Sequence, residues 1–444
     1  MIDSQTHKEN RSVWFGDIPN NWKISKLKYV VNIYTGNSLN DIEKSNFSTD
    51  DIVEKNGYNY ISSKDIDVNN NTCNYDTGLF IPASETRYKI APRASTLLCI
   101  EGGSAGKKLT YTTEDVCFVN KLACFNSKFD INSKYVYFYL QSFEFKNQFQ
   151  GALSGLIGGV SLTNLNDFEI LVPPLPEQTH IADFLDRKTA QIDEIIAKKE
   201  KMLTLLDEKK KAVINEAVTK GLNPNAKMKD SGIEWIGEIP ENWEVILLSR
   251  LVDIVRGASP RPAGDPRFFD GNYMPWITVG EVTNAIGKFI TETSTFLTKE
   301  GSENSRIIFE DTLLLSNSGA TLGVPKISKI KGCINDGSVA FLNLKSKLDK
   351  NFLYYFLESH TDIYRGEASG YGQPNLNTDI VRNTPIPLPP LSEQNEISDY
   401  IEKKLDKVSF LNNKISQQVE KLKEYRQSLI SEAVTGKIDV KNYN

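Results

Sequence analysis

Pro173-Pro174-Leu175-Pro176-Glu177-Gln178 introduces a stretch, 177–219, that lacks glycine and proline and closes on Glu216-Ala217-Val218-Thr219. The same marks return as Pro389-Pro390-Leu391 with Glu393-Gln394, and as Glu432-Ala433-Val434-Thr435, both at an offset of 216 residues. Further out, Trp14, Gly16, Ile18-Pro19 and Asn21-Trp22 return as Trp235, Gly237, Ile239-Pro240 and Asn242-Trp243, now offset by 221. Solenoid units repeat every 20–50 residues or so. A period above 200 is that of a whole domain with an appendage, so the chain is written as two similar halves that can touch two similar things at once.

The stretches 177–219 and 393–435 are rich in Lys, Glu and Leu, and the proline cluster before each blocks helix upstream. At 1.5 Å per residue each predicts a helix of about 65 Å. In the second copy Ile401, Val408, Ile415, Leu422 and Leu429 recur every seven residues, with Ile397, Leu411 and Tyr425 as companions. In the first, Leu185, Ile192, Leu206 and Val213 hold the same frame with Ile181, Ile195 and Met202, interrupted by Lys188, Lys199 and Lys209. Heptad spacing sustained this long predicts a coiled coil. Amphipathic helices lying on the globular blocks are the competing reading, and they would leave much of each helix unsupported. Because the first helix must end where 220–234 enter the second block, the pair is expected to be antiparallel. A globular block then sits at each end of a rod with a pseudo-two-fold axis.

The blocks 14–172 and 235–388 have another texture. Short apolar runs (Leu27 to Val31, Tyr58 to Ile61, Thr96 to Ile100; then Leu248 to Val255, Met274 to Ile277, Thr312 to Leu315) alternate with Gly- and Asn-rich turns and predict strands. Tyr135 to Leu140 and Phe352 to Leu357 read as helices. The fold class is mixed α/β (α+β) with an internal repeat. The expected division is a first globular domain at 1–172, a first long helix region at 173–220, a linker at 221–234, a second globular domain at 235–388, and a second helix region with tail at 389–444. The middles diverge more than the edges: Glu101 to Lys108 stands where the other half has Ser316 to Gly323.

Bulk properties bound the class. A mean hydropathy of -0.37 and the absence of any run of about 18 apolar residues exclude a membrane span. The polar N-terminus lacks a secretory signal, and five cysteines with no C-x-x-C pair read as free thiols of a reducing, cytoplasmic compartment. Three histidines make a His-rich metal site implausible. The net charge of -5 argues against nucleic acid unless partners supply positive charge.

Catalytic motifs are missing. Glu101 to Lys108 fails as a phosphate loop because Glu101 occupies the first glycine position and Lys108 the Ser/Thr position. No dinucleotide fingerprint, nucleophile elbow or zinc-protease motif occurs. Asn383-Thr384-Pro385-Ile386 lacks the second proline and the aromatic of an amino-methyltransferase box.

The paired G-[DE]-I-P-x-N-W openings, the P-P-L-x-E-Q exits and the helices ending in E-A-V-T together resemble the specificity subunit of type I restriction–modification systems, over nearly the whole chain. That resemblance implies two target-recognition domains separated by two helical regions in an antiparallel coiled coil. It implies a non-catalytic subunit in which each domain reads one half of a split DNA target. The rod would set the unread gap and dock two modification (methyltransferase) subunits, which restriction (translocase and nuclease) subunits join. It also implies no cofactor in this chain, with S-adenosylmethionine, ATP and Mg bound by partners. A structural adaptor with two protein-binding modules on a rod is the alternative, and the acidic balance favours it.

For DNA contact the second block offers Arg256, Arg261 and Arg267 in a Pro/Gly-rich segment, and Gln373 and Asn375 in a second loop. Arginine forks suit guanine edges and phosphates, and amides suit adenine. The first block offers Arg87, Lys89, Arg93, Lys107 and Lys108 for phosphates. Tyr88 and Tyr371 are candidates to stack on a flipped base. Solvated loops, turn-forming residues and ordinary packing are the competing readings at each position.

Overall fold

The structure is a computed structural model and describes residues 7–8, 12–48, 56–154, 158–319, 321–368 and 374–440. It divides into two compact units: Met1–Lys201 with Ser416–Asn444, and Met202–Ile415. The division runs through the two long helices, Leu175–Lys220 and Leu391–Val434. Each unit therefore holds one globular block, half of one helix and half of the other.

In the first unit one four-stranded sheet has the order Phe80–Pro82, Gly57–Ile61, Val116–Phe118, Ile90–Ala91, with the two central strands parallel. A second, antiparallel sheet runs Val31–Thr35, Leu122–Ser127, Thr96–Cys99, Leu109–Tyr111. Thr96–Cys99 is buried throughout, which is why it reads as an unbroken apolar run. A two-stranded pair, Lys23–Lys26 with Glu169–Val172, joins the start of the block to its end. The expected strand at Leu27 to Val31 is instead a helical turn over Leu27–Val30 followed by strand Val31–Thr35. Leu27 and Val30, three apart, are both buried by the turn as the chain passes from one sheet to the next.

The second unit repeats this order. Phe296–Leu297, Met274–Ile277, Gly332–Ile334 and Arg306–Ile308 form one sheet with the same parallel central pair. Asp253–Arg256, Ser338–Leu342, Leu313–Ser316 and Pro325–Ser328 form the other, with Phe289–Ile290 added at its edge. Glu244–Leu247 pairs with Pro385–Leu388. The expected helices appear as Ser133–Tyr139 and Lys350–Ser359.

The motifs shared by the halves are joints. In P-P-L-x-E-Q the glutamine is buried, and its amide ties the proline cluster to the N-terminus of the block's own helix. Gln178 Oε1 accepts from the Asn132 N–H (2.9 Å) while its Nε2 donates to the Pro173 carbonyl (2.9 Å). Gln394 does the same with Asp349 (2.7 Å) and Pro389 (2.9 Å). Trp22 and Trp243 are fully buried against helix C-termini that end in Gly436 and Gly221. Both glycines hold φ +73°, and a Cβ would lie 2.6 Å from Pro19 at Gly436 and 3.0 Å from Trp243 at Gly221. A left-handed C-terminal residue in so little space calls for glycine. The strand pairs His7–Lys8 with Ile18–Pro19, and Met228–Asp230 with Glu238–Pro240, extend the equivalence.

Within each unit the helix halves run antiparallel. In the first, Asp193 meets Arg426 (2.8 Å) and Lys199 meets Gln418 (2.7 Å), so one number rises as the other falls. In the second, Ile214 shares a core with Ile397 and Ile401, and Gly221 lies beside Glu393. Of the residues in the seven-residue frame, Leu185, Ile192, Ile401, Ile415 and Leu429 are buried, and Leu206, Val213, Val408 and Leu422 half-buried. Ile181 and Ile397 are buried as companions, but Ile195, Met202, Leu411 and Tyr425 are exposed. The residue one place further on turns inward in each case: Ile196, Leu203, Asn412 and Arg426. In the second helix both are polar, which is why the apolar pattern there points one position short. Among the described residues no helix is long and apolar enough to cross a membrane.

Candidate nucleic-acid interface

In both units four loops meet at the carboxyl ends of the parallel strand pair. In the first unit the loop after Val31–Thr35 is drawn in by the Asn37 N–H to the Phe118 carbonyl (2.9 Å), and Ser38 Oγ donates to Asn120 (2.7 Å). The Gly102 N–H reaches the Gly158 carbonyl (2.9 Å) and the Val160 N–H the Ile100 carbonyl (3.0 Å). The second unit repeats each link. The Ala258 N–H reaches the Ile334 carbonyl (3.1 Å), Ser259 Oγ donates to Asp336 (2.6 Å), the Gly319 N–H reaches Pro374 (2.9 Å) and the Leu376 N–H reaches Asn317 (2.8 Å).

In the second unit these links bring Arg256, Arg261 and Asn375 together. Arg256 Nε donates to the Asp336 carbonyl (2.7 Å) and Arg261 Nη2 pairs with the Asp336 carboxylate (3.2 Å). Asn375 is exposed and bridges to Ser318. Arg267 stands apart: its guanidinium forks onto Asp265 (Nη2–Oδ2 2.8 Å), the N-cap of its own short helix, and this pairing holds the Asp265 carboxyl below the usual range. Gln373 and Tyr371 lie outside the described residues.

In the first unit Lys107 and Lys108 follow the glycines of the equivalent loop. Lys107 is exposed, with Nζ 3.3 Å from the Gly103 carbonyl; Lys108 is half-buried and donates to the Ser63 carbonyl (2.7 Å). Lys89 joins the same end of the sheet, its N–H held by Asn37 Oδ1 (2.9 Å). Arg87 is neutralised by Glu43 (3.1 Å) and Glu85 (3.2 Å) and lies over the Tyr88 ring (4.8 Å). Arg93 is not brought into this group. Its N–H meets Asp115 (2.6 Å) at the start of the central strand, beside an open cavity of about 530 Å³ shared with Gly57 and Glu114, at the other end of the sheet. Tyr88 is buried, edge-on to Phe47 at 5.7 Å, with its hydroxyl pushed up to about 12 by burial and then by Glu43. A packed ring of this kind is not available to stack on a base.

Sequence reasoning missed Asp336, Ser259, Ser38 and Asn120, which set the geometry of the loops. Asn335-Asp336-Gly337 was legible only as a turn signal. It also missed a cavity of about 1140 Å³ in the second unit, between the helix pair and Lys350–Ser359. Lys288 there pairs with Glu402 (2.7 Å), and Lys326, donating to the Ala285 carbonyl (2.7 Å), has its pKa lowered by burial. Among the described residues no cluster of three or more His, Cys, Asp or Glu is placed to hold a metal.

The model of the type I restriction modification DNA specificity domain matches residues 19–205 and again 240–421. The type I restriction enzyme MjaVIII specificity subunit of Methanocaldococcus jannaschii is 31% identical over 63% of this chain, a match spanning 64% of that relative's length. The StySPI specificity subunit of Salmonella potsdam is 22% identical over 95% of this chain and 90% of its own. A chain solved in work on complex assembly and conformational transition of the type I R-M system shares the fold with a TM-score of 0.73, at 16% identity, over 95% of this chain and 99% of that one. The HsdS subunit of Thermoanaerobacter tengcongensis shares it at 0.51 and 17% identity, over 95% and 98%. With two matched domains that follow the internal repeat, the chain belongs to the type I restriction–modification DNA specificity family.

Proposed function

We propose that this chain is the non-catalytic specificity subunit of a type I restriction–modification complex, reading a split, asymmetric double-stranded DNA target with one loop cluster per half-site. The observation that carries this is the duplication of one loop scaffold with different side chains on it. Ser38–Asn120 and Ser259–Asp336 hold equivalent loops in place, while the residues displayed differ. Loops on a rigid scaffold suit recognition, and two different displays suit two different half-sites.

Modification subunits dock on the long helices in this reading, where Met202, Leu205, Phe410 and Leu411 leave apolar surface exposed. Restriction subunits join that core. S-adenosylmethionine, ATP and Mg are bound by these partners, whose positive charge offsets the net -5 of this chain.

The test is a map of methylated bases in a host genome with and without this gene, with its methyltransferase partner present. Loss of one two-part asymmetric motif on deletion is the expected result. An unchanged map with an active partner contradicts the reading and favours the adaptor.

A further inference from the structure

We propose that Arg261 reads a guanine in the half-site of the second unit and that Asp336 is its positioning residue; this rests on the specificity reading above. Arg261 stands between Pro260 and Pro262, whose rings restrict the backbone on either side. The loop it rides on is held from several directions. Gly257 passes so close to the Asn335 carbonyl that a Cβ would lie 2.0 Å from it. Ser305 Oγ donates to the Ala258 carbonyl (2.6 Å), and Ser259 Oγ donates to Asp336 Oδ1 (2.6 Å).

On this fixed loop the Arg261 side chain is 70% exposed and, among the described residues, commits only Nη2, to Asp336 Oδ2 at 3.2 Å. An ion pair that exposed contributes little to folding. It does orient the guanidinium, and it leaves the rest of the donor fork free. A planar fork held this way matches the O6 and N7 acceptors of guanine in the major groove. Of the other arginines in the segment, Arg267 gives its fork to both oxygens of Asp265, whereas Arg256 turns only its Nε, to the Asp336 carbonyl, and flanks Arg261 on the same residue.

The repeat isolates the device. The position equivalent to Arg261 in the first unit is Asn40, which caps helix Asp41–Asn46 through the Glu43 N–H (2.9 Å). The position equivalent to Asp336 is Asn120, which still receives the serine (2.7 Å) but carries no charge. The carboxylate is present in the half that has the arginine and absent from the half that lacks it, whereas the serine contact is kept in both. Scaffold alone accounts for the serine and not for the charge.

The experiment uses the full chain with its methyltransferase partner, mapping methylated bases and then measuring binding to duplexes carrying the mapped motif or each single-base change. Arg261→Ala is expected to make one guanine position degenerate in one half only, cutting discrimination there by about 5- to 150-fold, with the other half unchanged. Arg261→Lys keeps the charge without the fork and is expected to relax the same position. Asp336→Asn is expected to relax it partly. Melting temperature and salt dependence should be unchanged for all three. Uniform weakening on every sequence, with the log–log salt slope reduced by about one, would make Arg261 a phosphate contact and overturn the proposal. Relaxation in both halves, or none, overturns it as well. A wild-type complex with no two-part motif overturns the specificity reading itself, and this inference with it.

Discussion

Asn40 and Arg261 occupy the same place in the two repeats and serve different ends: one closes a helix, the other is displayed to solvent on a braced loop. Around them the joints agree. Gln178 and Gln394 lock equivalent corners, and Trp22 and Trp243 seal equivalent helix ends. The halves have kept what holds the loops and changed what the loops present. A duplicated domain that must recognise two different things diverges in this way, because a substitution at a joint costs stability while one at an exposed loop position costs little.

The largest expected effect tests the shared joints. Trp22→Ala and Trp243→Ala, each emptying a fully buried site, should cost their own unit about 3–5 kcal/mol. The two values should agree closely in chemical denaturation. A small cost in one would mean the units are not built alike.

The next effect separates the units by pH. His360 is buried in the second unit, 4.3 Å from the Trp235 ring and 4.5 Å from the Tyr364 ring, and burial lowers its pKa to about 4. The corresponding stretch of the first unit, 133–151, contains no histidine. With the folded pKa below the unfolded value near 6.5, the unfolded chain binds the proton first. Stability is therefore full above about pH 6.5 and lost as pH falls toward 4, by up to roughly 3 kcal/mol. Melting from pH 7 to 4.5 should show the second unit weakening through this group, and His360→Phe should remove that part of the dependence.

Gly436→Ala and Gly221→Ala should each cost about 1–2 kcal/mol from the positive φ. Gly436 should be the worse of the two, because its Cβ would lie closer to its neighbour (2.6 against 3.0 Å). Smallest is the helix seam. Arg426→Ala removes a fork onto the partly exposed Asp193 and should lower the first unit's stability by about 1 kcal/mol, seen as a shift in denaturation midpoint.

What was legible in the sequence is what is local or periodic. The repeat, the long helices and the strands at Tyr58 to Ile61 and Met274 to Ile277 could be read directly, since the run of residues itself forms the element. Along the second helix the residues at heptad spacing are buried or half-buried, while Leu411 and Tyr425 are exposed, because Asn412 and Arg426 take the inward position beside them. The loop cluster was legible only as loose arginines and amides. Its organiser, Asp336, lies 75 residues from Arg261, and nothing in either segment names the other. Arg93 shows the reverse error. It is near Arg87 and Lys89 in sequence, but antiparallel pairing of Ile90–Ala91 carries it to the far end of the sheet.

The most direct test of one scaffold with two displays is a chain in which residues 14–172 replace residues 235–388 between the same helices. With its methyltransferase partner and a normal melting curve, that chain should direct methylation to a two-part motif whose halves carry the same bases, those of the half read by the first unit. A folded chain that still marks the original asymmetric motif, or marks none, would contradict the account.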